Sequence, residues 1–297
     1  MSRIDCEAYL LTRHWRDTPQ GIELQFWASS PLGPLRLVYP GQKAVCFISR
    51  DCDLALPGTQ VERKPLQLRD MDGSPVDALY FRQQRQLQQL RQRTVGSSTR
   101  LLESDIKVSD RFLMERFITA PMRVSGEAAQ QAGYRQLVNP RLHPAEYTPA
   151  LRYLSLDIET DGSASQVLSI AYCGVHEAQV LMQGRADDWP SDLPILWFDD
   201  EKALLRGFLQ QMQRLDPDLI LGWNLINFDL DYLERRCQAH RIPFGLGRGS
   251  ETAAILQPQQ AGQPRIASIP GRVALDGIDT LRAAFWSFDS FALDHVA

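Results

Sequence analysis

Apolar and polar positions alternate in short runs through the first fifty residues, broken at intervals by turn chemistry. Ala8–Leu11, Ile22–Trp27, Leu35–Tyr39 and Val45–Ile48 each predict a strand; in the second, Ile22, Leu24 and Phe26 alternate with Glu23 and Gln25. Asp17-Thr18-Pro19-Gln20-Gly21 and Ser30-Pro31-Leu32-Gly33-Pro34 supply the turns. The pattern predicts a small antiparallel sheet or barrel, with Phe26, Trp27 and Phe47 in its core rather than exposed as platforms for bases.

The period then lengthens. Residues 78–102 contain no acid and five arginines, Arg82, Arg85, Arg91, Arg93 and Arg100. Leu87 and Leu90 among glutamines predict a helix with one thin apolar stripe. Its arginines suit either a solvated surface, the simpler reading, or a face that contacts phosphates. Asp110 is placed to cap a short helix, Arg111–Ile118, that would bury Phe112, Met114 and Phe117. From Pro121 to Pro149 the pattern fades, and a domain boundary is expected near residue 147.

Alternation returns at Tyr153–Thr160. Leu154, Leu156 and Ile158 would face a core, which leaves Ser155, Asp157 and Glu159 on the other side. Two carboxylates on one face repel unless something positive lies between them, and a divalent cation would serve. The plainer alternative is an edge strand with one solvated face. Val167–Tyr172 and Ala178–Met182 complete an antiparallel meander, and a loop with Pro190 and Pro194 leads to an acidic helix start at Asp199-Asp200-Glu201. Ala203, Leu204, Phe208, Met212 and Leu215 recur at helical spacing up to Pro217; Asp218–Trp223 then reads as a parallel return strand. A helical pattern follows Asn224–Asp229 through Leu230, Leu233 and Cys237. Asp229 there is either a helix N-cap or a third carboxylate at the carboxyl end of a strand, where α/β sheets place ligands. Arg272–Asp276 makes a fifth strand, followed by a helix through Leu281, Ala284 and Phe285.

Composition narrows the picture only slightly. The length of 297 residues suits two domains, and a net charge of -4 leaves no global nucleic-acid footprint. The five cysteines are scattered without zinc spacing, and neither a signal peptide nor an apolar run near 18 residues is present. These features predict a cytoplasmic protein without membrane association. His14, His143, His176 and His240 form no ligand cluster, and Gly245–Gly249 lacks the Lys-Ser/Thr of a phosphate loop.

Particular stretches add a resemblance. Asp157-Ile158-Glu159-Thr160 resembles the first motif of DEDD-type 3′→5′ exonucleases, and Asn224-Leu225-Ile226-Asn227-Phe228-Asp229 is similar to the second motif found in family B DNA polymerases. Leu11–Gly21, Arg111–Thr119 and Ala284–Phe288 resemble bacterial members of that family. The resemblance implies an α/β (α+β) chain with a β-rich domain over 1–147 that flanks template DNA. It implies a ribonuclease H-like 3′→5′ exonuclease domain over 148–297, truncated at its carboxyl end. Asp157, Glu159 and Asp229 become catalytic metal ligands for two ions, Mg²⁺ or Mn²⁺. Thr160, Asn224 and Phe228 become supports of the site or contacts to the terminal nucleotide, and Arg82, Arg85, Arg91 and Arg93 gain weight as DNA contacts. The implied partners are DNA, as a single-stranded 3′ end or a primer–template, and the sliding clamp for a full-length polymerase.

One departure is plain. The family's third motif, Tyr-x-x-x-Asp, does not follow Asp229, and palm motifs for synthesis are absent. The chain therefore reads as an amino-terminal fragment of a longer polymerase, unable to polymerise and weak as a nuclease. Two rivals remain: a non-catalytic nucleic-acid-binding module of the same fold, and a histidine-dependent exonuclease using His295.

Overall fold

The computed structural model describes residues 2–54, 61–163, 165–184, 194–258 and 263–297. The chain forms two compact units, one of Met1–Gln131 with Arg135–Thr148, the other of Ala132–Tyr134 with Pro149–Ala297.

The first unit contains β1 (Ser2–Thr18), β2 (Gly21–Ser29), β3 (Leu35–Gln42), β4 (Ala44–Ser49), β5 (Val61–Arg69), β6 (Pro75–Phe81), α1 (Gln84–Thr94), α2 (Val108–Met114), β7 (Pro121–Gln130), β8 (Arg135–Val138) and β9 (Arg141–Pro144). Strand β1 pairs with β7 along its first half and with β2 along its second, and its register shifts between Leu10 and Thr12. The order β1-β2-β3-β8-β7 thus returns to β1 and closes a barrel, with β3 and β8 parallel; β9 adds to β7. Phe26, Leu37, Met122, Val124 and Leu137 fill it. Phe112 from α2 closes it, stacked on Phe26 at 5.5 Å and tilted against Tyr39 at 4.5 Å.

Phe26 and Trp27 are core residues, and Phe47 is half-buried beneath the Arg111 guanidinium at 5.3 Å. Helix α1 buries Leu87 and Leu90 as its stripe requires. Its amino terminus is capped from a distance, because Asp17 accepts the N–H groups of Gln84 (2.8 Å) and Arg85 (3.1 Å). Helix α2 begins three residues before the expected Arg111. Asp110 lies within its first turn and pairs with Arg13, so it is not the cap. Only Phe112 of the three expected apolar residues is buried; Met114, two residues on, faces the opposite side of the helix, and Phe117 lies past its end. The stretch after Pro121 is not patternless either. Met122, Val124 and Ala128 point into the barrel, but Gly126 and the prolines obscure the alternation in sequence. Strands β5 and β6 were likewise outside the sequence pattern.

The second unit contains β10 (Tyr153–Thr160), β11 (Val167–Gly174), β12 (Glu177–Gln183), β13 (Ile195–Phe198), α3 (Glu201–Leu215), β14 (Leu219–Gly222), a π-helical turn (Leu225–Leu230), α4 (Asp231–Ala239), β15 (Ala254–Leu256), β16 (Ile266–Ser268), β17 (Val273–Asp276), α5 (Gly277–Ala283) and α6 (Leu293–Val296). The main sheet has the order β13-β12-β11-β10-β14-β17. β10, β14 and β17 run parallel, and β11 is antiparallel to β10 and β12. β17 is thus the sixth strand of this sheet, since β13 had been hidden in the loop after Pro194; Pro190 lies outside the described residues.

Leu154, Leu156, Ile158, Ile170, Tyr172 and Ile220 pack against Leu204, Phe208 and Met212 of α3 and Leu233 and Cys237 of α4. Asp200 caps α3 by accepting the Ala203 N–H at 2.7 Å. Glu201 is buried and ties α3 to α4 through Arg236 and His240, while also accepting the Val167 N–H. Burial alone would raise Glu201, but these hydrogen bonds outweigh it and hold the carboxyl at about 2. No helix among the described residues is long and apolar enough to cross a membrane.

Where β14 and β17 begin, two buried arginines cross-brace chain segments far apart in sequence. Arg272 donates to Asp216 (3.0 Å) and to the carbonyls of Leu246, Pro217 and Met212. Arg248 donates to Asp216 (2.8 Å), Asp218 (2.7 Å) and the Gly271 carbonyl. The glycine-rich stretch is thus a corner built around an inward-facing arginine. Burial pulls the Arg272 guanidinium down to about 10, so it stays charged at pH 7. Arg272→Met leaves three carbonyls without this donor and takes one guanidinium from Asp216, which keeps Arg248 and, at 3.8 Å, Arg152. It is expected to destabilise the second unit by about 3–5 kcal/mol in urea unfolding; a loss under about 1 kcal/mol would contradict this account.

Candidate active site

Where β14 ends and β10 continues, Asp229 is brought near Asp157. In β10, Leu154, Leu156 and Ile158 are buried while Ser155, Asp157 and Glu159 are exposed, so the strand carries both acids on its open face. Its pairing with β14 runs from Tyr153↔Leu219 to Ser155↔Leu221. β14 stops at Gly222, where an added Cβ would lie 2.8 Å from the Leu156 carbonyl oxygen. Beyond that point the Ile158 N–H has no strand to meet. Asp229 Oδ1 accepts it instead, at 3.1 Å.

The turn that delivers Asp229 has its own logic. Asn224 adopts a left-handed φ of 57°, which asparagine tolerates better than most residues. A π-helical turn follows; such wide turns recur at functional sites. It buries Leu225, Ile226, Asp229 and Leu230 and leaves Phe228 40% exposed, stacked on Tyr232 at 6.0 Å. Asp229 is therefore not a helix N-cap: its carboxylate crosses to the neighbouring strand. Thr160 ends β10 beside an irregularity in its pairing with β11, and Asn224 supplies the bend.

Asp229 is only 1% exposed. Burial, then the nearby charge of Asp157 and, less strongly, that of Asp276 push its carboxyl up to about 7, against the opposing hydrogen bond from Ile158. None of the ion pairs among the described residues includes Asp157, Glu159 or Asp229. Hard carboxylate oxygens with excess negative charge suit a divalent cation. Among the described residues, however, no three His, Cys, Asp or Glu side chains already converge as a cage.

Asp276, the last residue of β17, is a further buried carboxylate at this end of the sheet. The sequence marked it only as a strand end; an acid followed by Gly277 and a helix was the available signal. The arginines sit elsewhere. Arg82, Arg85, Arg91 and Arg93 are all exposed on the first unit. Arg82 donates to the Pro19 carbonyl and Arg85 to Gln83. On α1, Arg85 and Arg93 fall away from the Leu87/Leu90 stripe while Arg91 flanks it, so they share no single face. His295 is exposed in the short α6.

The raised carboxyl has a sign-definite consequence. The folded chain holds the Asp229 proton up to about pH 7, whereas an unfolded chain releases it near the ordinary aspartate value of 3.8. In chelator-treated protein this residue should therefore erode stability as pH rises across that window. Asp229→Asn keeps an acceptor for Ile158 and should be more stable than the parent at pH 8, by at most about 4 kcal/mol. Urea unfolding of both proteins at pH 5 and pH 8 measures this; identical slopes with pH would refute it.

Comparison with known proteins agrees with this arrangement. Residues 101–296 match the model for the DNA polymerase family B exonuclease domain, and residues 8–43 match the DNA polymerase II amino-terminal model. The chain is 35% identical over 296 residues to DNA polymerase II of Escherichia coli (strain K12), which covers 97% of this chain and 37% of that protein. It is 30% identical over 155 residues to the DNA polymerase of Thermococcus sp. (strain 9oN-7), covering 50% of this chain and 19% of the relative. The chain thus spans well under half the length of these relatives. The family B DNA polymerase of the hyperthermophilic archaeon Pyrobaculum calidifontis has the same fold, with a TM-score of 0.73 at 19% identity, covering 98% of this chain and 39% of the other. On the domain match, the Escherichia coli likeness and the carboxylate-bearing sheet, this chain belongs to the DNA polymerase family B exonuclease domain family, with an amino-terminal region of the DNA polymerase II kind.

Proposed function

We propose that this chain is the proofreading part of a DNA-directed DNA polymerase of the polymerase II kind, and that its second unit hydrolyses the 3′-terminal phosphodiester of DNA. The observation that carries the reading is Asp229: a fully buried carboxylate, raised to about 7, beside Asp157 and with no ion-pair partner. A protein gains nothing in stability from that juxtaposition, so its use lies in what it attracts.

Asp157, Glu159 and Asp229 would hold two divalent ions, Mg²⁺ or Mn²⁺. When bound, such ions supply an activated water and stabilise the departing 3′ oxygen. The chain's own residues do the rest. The Ile158 N–H orients Asp229, and β10 keeps Asp157 and Glu159 on one open face. The exposed Phe228 ring, backed by Tyr232, offers a stacking surface to the terminal base of a single-stranded 3′ end. Thr160 and Asn224 bound the same end of the sheet. The first unit would flank the primer–template, with Arg82, Arg85, Arg91 and Arg93 as scattered phosphate contacts. The sliding clamp would be a partner of the longer polymerase.

The test is Mn²⁺-dependent shortening of a 5′-labelled single-stranded oligonucleotide by this chain and by a version extended about 100 residues toward the relatives' third motif. Activity is expected in the extended chain and should fall at least about 100-fold with Asp157→Ala, with DNA affinity unchanged or improved. Tight DNA binding without Asp157-dependent degradation in either chain would replace this reading with a binding module.

A further inference from the structure

We infer that Asp276 is the positioning residue of the site: its carboxylate fixes the π-helical turn and thereby the place of Asp229. The inference rests on the exonuclease reading above for its purpose, though not for its geometry.

Asp276 is 3% exposed, and both of its oxygens are committed. Oδ1 accepts the Ile278 N–H at 3.0 Å, which makes it the N-cap of α5. Oδ2 accepts the Ile226 N–H at 2.9 Å, in a different element. Ile226 lies in the first turn of the π-helical segment, where N–H groups lack an internal acceptor. It is 8% exposed, so water is a poor substitute. Asp229 follows three residues later in the same turn. A shift of the turn at Ile226 therefore moves the Asp229 carboxylate relative to Asp157.

The surrounding backbone leaves little slack. Asp276 pairs directly with Gly222, the residue from which the turn departs. A Cβ on Gly277 would stand 2.7 Å from the Trp223 ring. Asp279 on α5 adds a weaker tie through the Asn227 side chain, and Arg265 holds the Asn227 carbonyl at 3.1 Å from the other side. Of these ties only Asp276 is buried. An N-cap alone would accept Asn, Ser or Thr equally well. Serving two N–H donors at once requires a carboxylate, because Asn would turn its NH₂ toward one of them. With both oxygens so engaged, Asp276 acts on Asp229 through the backbone and is not itself placed as a metal ligand.

The experiment compares this chain with Asp276→Asn and Asp157→Ala. Free Mn²⁺ is followed by electron paramagnetic resonance, amide exchange at Ile226 and Ile278 by NMR, and unfolding midpoints by urea. Asp276→Asn should weaken Mn²⁺ binding about 10- to 100-fold under conditions where the variant is fully folded. It should also lose amide protection at Ile226 while keeping it at Ile278. Wild-type protection at Ile226, or an unchanged Mn²⁺ affinity while Asp157→Ala abolishes binding, would overturn the inference and leave Asp276 as a cap. If Asp157→Ala leaves Mn²⁺ binding intact, the metal reading fails separately, and the Ile226 amide still decides whether Asp276 holds the turn.

Discussion

The hydrogen bond from the Ile158 N–H to Asp229 is the contact on which the site depends. A parallel sheet normally passes its N–H groups to the next strand, but here β14 ends at Gly222 and one donor of β10 is left over. Filling that position with a carboxylate rather than a backbone carbonyl puts a negative charge at a strand end, beside another on the open face. Burial makes the charge expensive and Asp157 makes it more so. The fold tolerates this because the hydrogen-bonding capacity of the strand would otherwise be wasted.

What keeps so unfavourable a pair in place is rigidity elsewhere in the same unit. The α3–α4 face is clamped by Glu201, Arg236 and His240, and the far end of the sheet by Arg248 and Arg272 against Asp216 and Asp218. These acids have partners of opposite charge, unlike Asp157, Glu159 and Asp229. One chain thus holds two kinds of buried acid. Glu201 is held low by its partners. Asp229 is held high for want of one. That contrast separates the carboxylate that clamps two helices from the one proposed to take part in the chemistry.

Much of this was legible along the chain, because short-period patterns are local. The alternation in Tyr153–Thr160 assigned each side chain of β10 to its face, and the spacing of Leu204, Phe208, Met212 and Leu215 gave α3 its buried side. The wrong expectations have physical reasons too. Met114 sits two residues after the buried Phe112 and so on the opposite face of α2, and Phe117 lies past the helix end. β7 fills the barrel with Met122, Val124 and Ala128, yet Gly126 and nearby prolines break its signal. A closed barrel is invisible in any one strand, because closure is a pairing between β1 and β7, more than a hundred residues apart.

The sequence by itself determined which residues carry acids, the buried faces of β10 and α3, and the family motifs around Asp157 and Asp229. It could not decide whether Asp229 caps a helix, since an acid after a strand does so readily. Tertiary structure excluded the cap by ending β14 early, opening the next turn to a π-helix and presenting the Ile158 N–H to the carboxylate. It also gave Asp276 its second partner, Ile226, fifty residues earlier in the chain. Those contacts join positions distant in sequence through backbone groups that every residue shares, and no pattern of side chains records which ones will meet.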